Sequence, residues 1–157
     1  MGNGTVKKSS YLRSGFIIIV FALLIFASAE DCSMPSMKRA YTRAQLFVNA
    51  VNTNRPAEVY CLLDPTIASL TTRKQFTANF TADRAYPYLT PLYLYIDKME
   101  LAPDRYTGVV YCTVAARLPG QTMVLTLHWY RGDYYMMAFR EIADGSFRTA
   151  LHRLPGK

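Results

Sequence analysis

The sequence predicts an α+β domain in which N-terminal helices pack on one face of a curved antiparallel sheet of about four or five strands. Three observations lead there. Apolar residues recur at three-and-four spacing from Met37 onward, which is the period of a helix with one buried stripe. After Pro87 and Pro91 the spacing changes to alternation, and Tyr, Val, Leu and Thr become frequent. The breaks between the alternating segments are then too short for anything but antiparallel neighbours.

The helical half begins at Met37, with Tyr41, Ala44, Phe47, Val48 and Val51 completing one apolar stripe before Asn52-Thr53-Asn54. Pro56 suits the first turn of a second helix, which Asp64-Pro65 ends. Residues 67–70 read as a short strand. Thr71 or Thr72 caps a third helix towards Ala82, with Phe76 and Phe80 on one face.

Four strands follow, over residues 92–101, 106–118, 121–130 and 134–142, divided by Ala102-Pro103-Asp104, Pro119-Gly120 and Gly132-Asp133. Taking Pro119-Gly120 as a two-residue loop sets Leu118 against Gln121. Met123, Leu125, Leu127 and Trp129 then lie beside Ala116, Val114, Cys112 and Val110 on a wholly apolar face. The other face receives Thr126, His128 and Tyr130, with His128 opposite Tyr111. At the last hairpin, a three-residue loop turns Tyr135, Met137 and Phe139 inward, whereas a two-residue loop would bury Arg140.

A leader precedes this domain. Lys7, Lys8 and Arg13 stand before the uncharged run Gly15-Phe16-Ile17-Ile18-Ile19-Val20-Phe21-Ala22-Leu23-Leu24-Ile25-Phe26, and Ala27-Ser28-Ala29 meets the small-x-small rule of a signal-peptidase site. Residues 1–29 are therefore read as a signal peptide or an uncleaved membrane anchor, 30–36 as a linker, 37–145 as the domain and 146–157 as a basic tail. Either form of leader delivers the domain to an extracytoplasmic compartment, periplasmic or secreted. The net charge of +7 comes partly from those three leader residues; the rest leaves 15 basic against 11 acidic residues, interspersed rather than striped, so nucleic acid is not an expected partner.

Cys32, Cys61 and Cys112 make an odd count. One disulfide, Cys61 with Cys112, is the pairing expected if any forms; the alternative is buried thiols acting as small hydrophobes. No metal spacing, phosphate-binding glycine loop or nucleophile elbow is present, so no cofactor or metal is expected. Arg131-Gly132-Asp133 spells an integrin-type tripeptide, but Gly-Asp is also hairpin-turn chemistry, and the turn is the expected role.

Two amphipathic helices ending in Leu62-Leu63-Asp64-Pro65, a third opened by Thr71-Thr72, and a terminal hairpin 127–137 resemble the nuclear transport factor 2-like superfamily of α+β cones. Asp133-Tyr134-Tyr135-Met136-Met137 departs from the Asp-Gly-x-Trp-x-Ile strand common in its exported bacterial members. The resemblance implies a cone used as a ligand pocket, a dimer module or an assembly subunit. Small exported members with one N-terminal apolar segment look like accessory subunits of envelope machines.

Two functions follow as expectations. In the first, the chain is a non-enzymatic binding subunit whose partner, another protein or a second copy, docks on the outward patch Tyr111, Thr126, His128 and Tyr130, a flat aromatic surface with polar tips. In the second, the cone is a small-molecule binder or an isomerase- or dehydratase-like enzyme. Asp97, counted onto the apolar face beside Val110 and next to Tyr95, would be its acid or base, because desolvation raises a carboxylate's proton affinity.

Overall fold

The computed structural model describes residues 34–84, 93–115 and 121–147. The chain divides into two compact units, Met1–Met34 and Pro35–Lys157, and the elements below belong to the second. The leader, Cys32 and residues 148–157 of the tail lie outside the described residues.

Helix α1 (Met37–Asn52) starts where Ser36 Oγ accepts the Arg39 backbone N–H at 3.3 Å. It buries Ala40, Ala44, Phe47, Val48 and Val51, and its small residues bring the helix close to the sheet. Its last carbonyls are capped from a distance: the Arg84 guanidinium bonds those of Val51 and Asn52. Helix α2 (Pro56–Leu62) has its proline in the first turn.

Residues 67–70 are not a strand. Asp64 Oδ1 accepts the Thr66 N–H at 2.9 Å and Pro65 presets φ, so a single helical turn, α3 (Pro65–Ala68), forms there instead. Thr72 Oγ1 caps helix α4 (Arg73–Arg84) through Gln75 N at 3.2 Å, and Phe76 and Phe80 fall on its buried side as the spacing predicts.

The sheet is four antiparallel strands in sequential order, β1 (Tyr93–Leu101), β2 (Thr107–Ala115), β3 (Gln121–Tyr130) and β4 (Asp133–Met137), and it is curved and unclosed. This is the α+β architecture that the periodicity predicts. A one-turn helix, α5 (Arg140–Ala143), follows in place of the expected end of the last strand.

All three hairpin registers differ from expectation. Pairing of β2 with β3 closes at Val114↔Gln121, so Leu125 lies opposite Val110 instead of Val114. The slide is an even number of residues, and an even slide leaves every side chain on its face. Leu94, Val110, Cys112, Val114, Leu125 and Leu127 accordingly remain buried against the helices. Between β1 and β2, Leu101 pairs with Gly108, and a bulge between Ile96 and Lys98 leaves Asp97 out of the pairing. The Gly108 pairing is tight: a Cβ there would stand 2.5 Å from Leu101 Cδ2 and 2.9 Å from the Glu100 carbonyl.

The last hairpin closes on a two-residue turn, Tyr130↔Asp133, with Arg131 at φ 47° and Gly132 at φ 90°. Tyr134, Met136 and Ala138 are therefore the buried residues, not Tyr135, Met137 and Phe139. Arg140 nonetheless stays exposed, because β4 ends at Met137 and Phe139 takes a left-handed φ of 59° that starts α5.

The two edges of the sheet are finished differently. At β4, Arg39 Nη1 bonds Gly132 O at 3.0 Å, Arg43 Nε bonds Tyr134 O at 3.1 Å, and Leu63-Asp64 lies alongside with Asp64 N on Met136 O at 2.8 Å. At β1 the Asn52 side-chain amide imitates a strand, giving Nδ2–H to Leu94 O at 2.9 Å and taking Leu94 N–H on Oδ1 at 2.8 Å.

Candidate functional site

The outward face of the sheet is set by parity. Thr107, Val109, Tyr111 and Thr113 of β2 share it with Thr122, Val124, Thr126, His128 and Tyr130 of β3 and with Tyr135 and Met137 of β4. All four residues of the expected patch, Tyr111, Thr126, His128 and Tyr130, are on this face. Their arrangement differs from expectation: Tyr111 lies opposite Val124, and His128 opposite Thr107 on one side and Tyr135 on the other. The result is a diagonal stripe whose most exposed apolar members are Val124 at 58% and Met137 at 48%.

His128 is held from below. Its Nδ1 lies 2.9 Å from Asp64 Oδ2, and the Asp64 side chain is 2% exposed while that of His128 is 43% exposed. The second carboxylate oxygen accepts both the Thr66 N–H at 2.9 Å and its hydroxyl at 2.6 Å. Burial alone would raise the Asp64 proton affinity; the hydrogen bonds from Thr66 and His128 outweigh it and hold the carboxyl below its ordinary 3.8. An ionised carboxylate only accepts, so Nδ1 carries the donated proton and Nε2 is the ring atom left for solvent or a partner. The main chain of Asp64 contributes too, because its bond to Met136 O docks the corner between α2 and α3 on the β4 edge.

One end of the stripe is an aromatic and cationic cluster. Tyr130 and Tyr135 meet edge-to-face at 6.4 Å, Arg131 lies 5.2 Å over the Tyr130 ring and Arg43 lies 5.5 Å over that of Tyr135. Asp133 is engaged by Arg43 at 3.2 Å and by its neighbour's N–H. The Arg131-Gly132-Asp133 tripeptide is thus a turn whose acid is already paired.

The second expected site does not assemble as predicted. Asp97 is exposed at the bulge, where Oδ2 accepts the Thr113 hydroxyl at 2.8 Å, and Tyr95 is 56% exposed. The bulge turns the carboxylate out of the apolar face on which it was expected beside Val110. Asp97 instead borders an open groove of about 490 Å³ between α1 and β1, lined also by Met37, Lys38, Tyr41, Ile96 and Met99. The helix side of the sheet is filled by side chains with no exposure, among them Leu94, Val110 and Leu125.

Cys61 and Cys112 are free thiols rather than a disulfide. Cys112 points into the core from β2, whereas Cys61 sits exposed on α2. Burial, with Asp97 adding, pushes the Cys112 thiol up to about 11. Among the described residues no three His, Cys, Asp or Glu side chains are grouped to hold a metal, and no helix is long and apolar enough to cross a membrane.

The residue that sequence reasoning missed is Asp64. Asp-Pro before a helical turn signals a cap, but nothing local signals that the same carboxylate meets a ring 64 residues away. Neither a protein family, a curated protein nor a solved structure matches this chain.

Proposed function

We propose that this chain is a non-enzymatic extracytoplasmic subunit that joins a larger envelope or membrane assembly through the outward face of its sheet. The observation that carries this reading is the stripe itself. Val124, Met137, Tyr111 and Tyr130 are left exposed on a regular face, around a histidine whose ring is fixed by a buried carboxylate. A held ring loses little freedom on binding, which favours a specific contact. The order of helices and strands supports the nuclear transport factor 2-like reading, and an accessory role is what that resemblance implies. Residues 1–29 would export the domain or tether it to the membrane.

The enzymatic alternative draws no support from the placement of Asp97, which is solvated and bonded to a threonine. A test of the binding reading exchanges Val124 for Arg and His128 for Ala in the full chain. The proteins that co-purify with the natural chain from its host should be lost while the melting curve stays cooperative. Undiminished recovery of those proteins would overturn the reading. Intact mass of the mature protein decides whether residues 1–29 remain attached.

A further inference from the structure

The backbone groups along the outer edge of β1 follow an order that can be counted. In an antiparallel ladder, residues alternate between bonding across the pair and pointing their N–H and C=O away from it. Asn52 takes both groups of Leu94, so Leu94 is an outward-pointing residue and Ile96 is the next. The bulge at Asp97 advances the count by one, so that Met99 and Leu101 point outward beyond it. Among the described residues, the outward groups of Ile96 and Met99 meet no partner.

The outward positions 94, 96, 99 and 101 are symmetric about the midpoint between Asp97 and Lys98. A two-fold axis through that midpoint sets Ile96 of one copy against Met99 of the other, and Met99 against Ile96, so donors meet acceptors in both pairs. The same operation brings Asp97 against Lys98 twice. Both charges lie on the outward side of the sheet, Asp97 through its bond to Thr113 and Lys98 opposite Tyr111, where its ammonium also pairs with Glu100 of the same strand. On the helix side, Met37 at 48% and Tyr41 at 43% exposure flank the groove near the axis and would meet their own copies.

We propose that the β1 edge pairs antiparallel with the β1 edge of a second copy, Ile96 opposite Met99, to give one continuous sheet of eight strands. The charge order selects this occupant, because an unrelated strand would not need an edge that complements itself. Asn52 limits the pairing: its amide already satisfies Leu94 and so stops a neighbouring strand from sliding further along. The surface is distinct from the outward stripe and leaves that stripe open in both copies.

Sedimentation of the full-length chain in a mild non-ionic detergent, over a range of concentrations, should show a reversible dimer. Asp97→Lys or Lys98→Asp alone puts like charges opposite each other twice, and each should weaken the dimer by about tenfold. The double exchange, Asp97→Lys with Lys98→Asp, restores opposite signs and should return the affinity to near its starting value. Met99→Pro removes an N–H that the β1–β2 ladder does not use, and should give a folded monomer. A chain that stays monomeric up to its solubility limit, or a dimer that the double exchange fails to restore, overturns the proposal.

Discussion

Replacing Asp64 by Ala should destabilise the domain by about 2–3 kcal/mol. The change removes the cap of α3, a loss of about 1 kcal/mol. It also removes a charge-assisted hydrogen bond to His128, for which ~1.5 kcal/mol, the low end of the usual range, is appropriate because the ring is half exposed. For a domain of this size the midpoint of thermal unfolding should fall by about 10 °C. Asp64→Asn separates the two contributions. Asparagine caps as well as aspartate, so this variant should keep the turn and lose about half as much.

The pH dependence has a definite sign. The folded-state carboxyl titrates below its ordinary 3.8, so its contribution is present above that value and disappears as pH falls through the folded-state pKa. The gap between natural protein and Asp64→Asn should therefore shrink as pH falls below about 4. Circular dichroism melts from pH 7 to pH 2.5 would measure it. If Asp64→Ala melts within about 2 °C of the natural chain, or if the gap to Asp64→Asn is the same at all pH values, the pair does not hold the corner to the sheet as argued.

Two further predictions concern packing and reactivity. Gly108→Ala should cost about 1–3 kcal/mol, because the new methyl meets the Glu100 carbonyl as well as the movable end of Leu101; a chemical denaturation midpoint unchanged from the natural protein would show that β1 yields easily. In a Cys32→Ser background, Cys61 should react with a thiol reagent at once and Cys112 only on unfolding, since one is exposed and the other buried with its thiol raised to about 11. A native protein with no titratable thiol would instead mean that a disulfide forms.

The legible part of this fold was its parity. Alternation assigns Val110, Cys112, Leu125 and Leu127 to the buried face, and they are buried even though the strands pair four positions away from the predicted register. Hydrophobic pattern is blind to such a slide, because every second position is equivalent to it. Where parity itself failed, a backbone exception was responsible. The bulge turned Asp97 outward, and Arg131, a residue other than glycine at φ 47°, allowed a two-residue turn that brought Tyr134 rather than Tyr135 inside. The outward placement of Tyr111, Thr126, His128 and Tyr130 was readable from alternation alone. The Asp64 support was not, since it depends on how the helical corner docks on β4, a long-range event with no local signature.

Arg39, Arg43 and the Leu63-Asp64 segment together occupy the outward carbonyls of Gly132, Tyr134 and Met136 along the far flank of the sheet. Fibrous growth needs two adhesive flanks, so that each newcomer offers a fresh end to the next. A molecule with one flank sealed can accept at most a single neighbour by strand addition, and aggregation along that direction stops as soon as it starts.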